Sequence, residues 1–109
     1  MSCVQKVPTA LTARRVRITG QLSVEEIVVL VDEWPKGVTA VTQEADGELL
    51  YWDAPINDVI QARIRAGCGP MLRELGIKYQ IHSAYLNISD PHLANDWSVS
   101  VALPPKFNR

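Results

Sequence analysis

The stretch Leu22-Ser23-Val24-Glu25-Glu26-Ile27-Val28-Val29-Leu30-Val31-Asp32-Glu33-Trp34 decides how this chain folds. Ser23 followed three residues later by Glu26 forms a capping box, in which hydroxyl and carboxylate satisfy each other's orphan backbone N–H groups. Leu22 and Ile27 flank the box at the spacing of a hydrophobic staple. Ile27, Leu30, Val31 and Trp34 then recur at i, i+3, i+4 and i+7, one stripe of a helix. Pro35 and Gly37 end it. The β-branched run Ile27–Val31 competes, because such residues also favour a buried strand. Capping box, staple and stop signal agree with one another, so the reading is helix.

Extended segments surround this helix. Arg14–Thr19 alternates, with Val16 and Ile18 on one face and Arg15, Arg17 and Thr19 on the other. Val38–Gln43 and Glu48–Asp53 are two short strands joined by Ala45-Asp46-Gly47, a hairpin turn. Asp53 is placed to cap the next element and Pro55 suits its first turn. Ile56, Val59, Ile60 and Ile64 form the stripe of a second helix that stops at Gly67, and Pro70–Leu75 adds a further turn or two. Ile77–Ile88 is the longest strand candidate. Its apolar phase changes near His82–Ala84, which predicts a bulge there or a strand whose far end is covered on both sides. Trp97–Leu103 alternates cleanly before Pro104-Pro105.

The order is β-α-β-β-α-β-β, which predicts an α+β domain of the ferredoxin-like kind or a variant of it. In that arrangement one mostly antiparallel sheet of four to five strands carries two helices on a single face. Residues 1–109 make one domain, with 1–12 and 104–109 as loose tails.

Composition limits the function classes. The chain has 109 residues, a hydrophobic fraction of 47% and a net charge of −1. That size supports one core, and the balanced charge argues against a protein devoted to neutralising phosphates. No apolar run approaches a membrane span, and the first residues lack a secretory signal, which predicts a cytoplasmic protein. Cys3 and Cys68 are the two cysteines, expected as reduced thiols.

Sites are harder to read. Gly67-Cys68-Gly69-Pro70-Met71 contains the Cys-Gly-Pro of the thioredoxin active-site motif, but Met71 stands where the second cysteine belongs. Cys68 is therefore a candidate reactive thiol only by its place before a helix. His92, Asp90 and Asp96 share a loop without metal-ligand spacing, so no metal or cofactor is expected. No catalytic elbow, phosphate loop or dinucleotide fingerprint is present, and no catalytic residue is assigned. Val16–Leu22 resembles the shorter motif of RNA-recognition domains, yet Arg17 occupies the position where those domains stack an aromatic ring. If the first and fourth strands are neighbours, Arg15, Arg17, Lys78, Gln80 and His82 share one wet sheet face. Trp52 and Trp97 are candidate pocket or interface residues, since tryptophan is enriched at binding surfaces.

Three functional expectations follow. The first is a non-enzymatic module that binds protein, including a second copy of itself through the strand edges Val38–Gln43 or Trp97–Leu103. The second is nucleic-acid binding through the Arg15, Arg17, Lys78 and His82 face. The third is a ligand-binding protein or thiol enzyme with a pocket near Cys68, Trp52 and the Ser89–Asp96 loop.

Overall fold

The computed structural model describes residues 22–105 and, as backbone, the short strand β1 (Arg17–Ile18). The chain continues through α1 (Val24–Val31), β2 (Ala40–Gln43), β3 (Leu49–Trp52), α2 (Ile56–Ala66) and α3 (Met71–Leu75). A 3₁₀ turn at Ile77–Tyr79 leads into β4 (Gln80–Ala84), and β5 (His92–Leu93) follows. The remainder of the predicted first strand, including Arg15 and Val16, falls outside the described residues, as do the tail 1–12 and residues 106–109 of the other tail.

Local chemistry builds α1 as expected. Ser23 Oγ accepts the Glu26 N–H at 3.1 Å, and the Ser23 N–H donates to Glu26 Oε1 at 2.8 Å. A second acid arrives from the far end of the chain: the Val24 N–H donates to Asp96 Oδ1 at 2.9 Å. The hairpin also forms as read, with β2 and β3 antiparallel from Ala40↔Trp52 to Gln43↔Leu49. Its turn closes through Gly47 N–H to Glu44 O and Glu44 N–H to Glu48 O. Gly47 has φ +94°, which side chains rarely adopt, and a Cβ there would lie 2.9 Å from Pro91 Cβ. Gly47→Ala is therefore expected to cost about 1–3 kcal/mol, read as a lowered urea midpoint. A loss indistinguishable from zero would mean that the turn relaxes freely. The second helix breaks in two at Gly67–Pro70, as the sequence suggested, although Pro55 rather than Asp53 stands at its N-cap.

The sheet differs from the expected one. It is a three-stranded antiparallel meander in the order β2-β3-β4, while β1 pairs with β5 in a separate parallel couple. A ferredoxin-like sheet would bring the fourth strand beside the first; here β4 returns to the free edge of β3. The reason is that β3 is buried along its whole length and needs a hydrogen-bonding partner on each side. A bulge is present at Ile81, where Trp52 pairs with Gln80 and Tyr51 with His82, ahead of the predicted His82–Ala84.

The strand expected at Trp97–Leu103 is mostly a turn. Asp96 O accepts both the Val99 and Ser100 N–H groups, and Ser100 Oγ donates to Asp96 Oδ2 at 2.6 Å. That local bonding competes with a ladder. Ala102 alone makes a bridge, exchanging two 2.8 Å hydrogen bonds with Val41.

The helices lie on opposite faces of the sheet, not on one. Val41, Leu49 and Tyr51 pack with Val24, Ile27 and Val28 of α1, together with Leu93, Trp97 and Ala102. Ala40, Leu50 and Trp52 pack on the other side with Val59 and Ala62 of α2 and Met71 of α3. With β2 and β3 buried throughout, the two-layer picture with a wet outer face is replaced by a three-layer one.

The apolar stripes are also turned relative to the expected ones. In α1 the buried residues are Val24, Ile27 and Val28, leaving Leu30 outside. In α2 they are Val59, Ala62 and Arg63, so that Ile56, Ile60 and Ile64 form an exposed ridge. Small residues facing the sheet let the α2 backbone approach it closely, and that contact sets the rotation.

Candidate functional site

Three places combine polar chemistry with a defined position in the fold. The first is a buried hub under the hairpin. Arg63, only 1% exposed, donates from its two terminal nitrogens to Gln43 O at 3.2 Å and Gly67 O at 2.6 Å. Its guanidinium lies 5.6 Å from the centre of the Trp97 ring. The Gln43 side chain donates to Gly47 O and His92 O and accepts the Ala94 N–H at 2.8 Å. These bonds tie the hairpin, the end of α2 and the β5 segment together. Arg63 Nε is the one guanidinium nitrogen without a hydrogen bond.

Glu44 borders this hub and accepts the Met71 N–H at 3.2 Å. Burial raises its pKa above the ordinary 4.5, while the Met71 hydrogen bond and the Arg63 charge pull the other way. An acid whose folded pKa is raised keeps its proton longer in the native state than in the unfolded one. Stability from this group is therefore fully present below about pH 4.5 and declines as pH rises through the window above it. Glu44→Gln is expected to remove that decline, measured as urea stability across a pH series. An unchanged slope would assign it to other groups.

The second place is an edge cluster. His82 Nε2 and Glu33 Oε1 are 2.7 Å apart, and the His82 ring meets Tyr51 edge-on at 4.9 Å between centroids. The Tyr51 hydroxyl is buried without a hydrogen-bond partner. Burial first, and then the Glu33 charge, pushes the phenol up to about 12. The cluster ties the end of α1 to β4.

The third place is the outer face of α1. Val29 and Leu30 are each 59% exposed. On one side Val28, Val29, Trp34, Ala102, Leu103, Pro104 and Pro105 line a groove of about 330 Å³. On the other, Leu22, Val29 and Leu30 border a shallow depression of about 420 Å³. Glu25 belongs to both. Since α1 is apolar towards the core and again towards solvent, it is patterned like a helix covered on both sides.

The residues singled out from sequence do not converge. Arg15 falls outside the described residues, and of Arg17 only the backbone in β1 is described. Lys78 is exposed on the 3₁₀ turn, with Nζ 5.2 Å from the centre of the Tyr79 ring. His82 faces Glu33 on the α1 side of the sheet. The expected pairing of the first and fourth strands is not found among the described residues, where β1 pairs with β5 and β4 with β3. Trp52 is fully buried and donates to Thr42 Oγ1 at 2.9 Å, and Trp97 is buried beside Arg63. Neither presents an accessible ring.

Cys68 is disulfide-bonded, which corrects the expectation of a reduced, reactive thiol. A sulfur so engaged offers no thiolate. The other cysteine of the chain, Cys3, lies outside the described residues. The depression beside Cys68, about 300 Å³, is lined by Glu44, Asp46 and Glu48 and does not include Trp52. Among the described residues no group of three or more His, Cys, Asp or Glu side chains is placed to hold a metal ion. No described helix is long and apolar enough to cross a membrane.

Sequence reasoning missed Val29 and Glu25. The signal was present in the unbroken run Ile27–Val31, which supplies more apolar residues than one face of a helix can bury. No protein-family profile, curated protein or solved structure matches the chain.

Proposed function

We propose that this chain is a protein-binding module that engages its partner through the outer face of α1. The observation that carries the reading is the exposure of Val29 and Leu30 directly opposite a face already packed on the sheet. Exposed apolar residues scattered singly mean little, but a contiguous patch with an adjoining groove marks an interaction surface. Leu103, 41% exposed, and the Pro104–Pro105 pair extend this patch beyond the helix.

The route through sheet edges that the sequence suggested is largely closed. Ala102 occupies the outer side of β2 at Val41. β4 is an edge among the described residues, but the Ile81 bulge and the Gln80 side chain, which reaches His82 O, blunt it. Nucleic-acid binding is premised on the first and fourth strands being neighbours, and β1 pairs with β5 instead. Apart from Arg63 Nε, the donors and acceptors of the polar hub are engaged by backbone groups, which leaves little for a substrate.

A photo-crosslinking residue at position 29 tests the proposal. It should give discrete protein adducts in cell extract or, with purified protein, a dimer, while the same residue at exposed Arg73 on α3 gives neither. Equal labelling from both positions would remove the α1 face as the docking surface.

A further inference from the structure

The charge of the chain is balanced overall but not along its length. All twelve acidic residues lie between Glu25 and Asp96, accompanied by five basic ones, Lys36, Arg63, Arg65, Arg73 and Lys78. Residues 22–105 therefore carry a formal charge of −7, and six of the eleven basic residues lie outside them.

The acids are concentrated where the apolar surface is. Glu25, Glu26, Asp32 and Glu33 fall within ten residues of α1 and its end, with no basic residue before Lys36. Glu25 precedes Val29, and Glu26 precedes Leu30, by one turn, so each exposed apolar side chain has a carboxylate as its neighbour on the helix surface. Asp32 stands at the C-cap, with φ 57°, and no base occupies the last turn. A helix C-terminus is already the negative end of the backbone dipole, so acids there oppose folding. Glu33 is answered by His82. Placing negative charge around an uncovered apolar ridge at that cost favours an arriving positive charge.

Resting on the reading that α1 is a docking face, we propose that its partner is a cationic amphipathic peptide segment. Apolar side chains of that segment cover Val29, Leu30 and Leu103, and its lysines or arginines meet Glu25 and the acids at the end of α1. The surface selects against anionic partners by the same field.

The test is fluorescence anisotropy of two labelled synthetic helical peptides sharing one leucine face, one carrying lysine and the other glutamate on its polar side. The lysine peptide should bind saturably and at least about tenfold more tightly than the glutamate peptide, with affinity falling as salt is raised. Glu25→Lys should erode that preference. Leu30→Asp adds negative charge while removing the apolar contact. It should weaken the lysine peptide about tenfold or more, whereas attraction by charge alone would strengthen it. Ile64→Asp, on the exposed ridge of α2, should change nothing beyond its small charge effect. Equal binding of both peptides, still lost in Leu30→Asp, would overturn the charge selection and leave the docking face standing. Failure of either peptide to bind, or binding indifferent to Leu30→Asp, would overturn both. Circular dichroism of each variant verifies that the fold is intact.

Discussion

Replacing Arg63 with alanine is expected to cost about 3–5 kcal/mol, one of the two largest losses that a single substitution should produce in this chain. Three contributions add at the site. The carbonyls of Gln43 and Gly67 each lose a donor, and Gly67 is the C-cap of α2, where carbonyl groups lack partners within the helix. Glu44, already burdened by burial, loses the positive charge that offsets it. Removing the long side chain also leaves a void against Trp97. Desolvation lowers the pKa of Arg63 itself while the Glu44 charge supports it, so the two groups hold each other's ionised forms in place. Arg63→Met separates these effects, since it fills the space without donors or charge and should recover part of the loss. Urea unfolding of both variants at neutral pH makes the comparison. A loss below about 1 kcal/mol for Arg63→Ala would place the guanidinium among ordinary surface charges and contradict its role as a hub.

Nothing in the sequence marks Arg63 as buried. It lies in a helix with Arg65 two residues on, and an arginine there reads as solvated. Its burial follows from Gln43 and Gly67 meeting around it in space, the first twenty residues before it in the chain and the second four after it. What could be read was local. The Ser23–Glu26 box, the Ala45–Gly47 turn and the break at Gly67–Pro70 each depend on residues within one turn of one another, and each is found. Periodicity identified the helices but not the part of each apolar arc that the sheet covers. α2 buries Val59 and leaves Ile56, Ile60 and Ile64 out, although all four belong to the stripe read from the sequence, and it buries Ala62 and Arg63 instead. The alternation of Trp97–Leu103 misled because Asp96 is committed to Val24, seventy-two residues away, and folds the following backbone around itself. Long-range hydrogen bonding of this kind has no signature in a window of ten residues. The candidate site was visible in a different sense. Five consecutive apolar residues from Ile27 to Val31 suit either a helix or a buried strand, and their surplus is what leaves Val29 and Leu30 exposed.

Trp52 supplies the second large expectation and separates stability from binding. Sequence suggested it as a pocket or interface residue, but its side chain is completely buried in the cluster beneath α2 and α3. Trp52→Ala should therefore cost about 3–5 kcal/mol, from lost transfer energy and the cavity left between sheet and helices. Its indole N–H donates to Thr42 Oγ1, and Thr42 is itself fully buried. Trp52→Phe keeps most of the ring volume but leaves that hydroxyl without its donor, so a smaller loss of about 1–3 kcal/mol is expected. Because α1 lies across the sheet, Trp52→Phe should retain peptide binding at the α1 face under conditions where it remains folded. Leu30→Asp should behave in the opposite way, holding stability within about 0.5 kcal/mol, as exposed positions generally do, while losing binding. Urea midpoints and anisotropy measured on the same two proteins decide the matter. If Trp52→Phe kept its stability and lost binding, the tryptophan would be a contact residue, and the assignment of the docking face to α1 would fail with it.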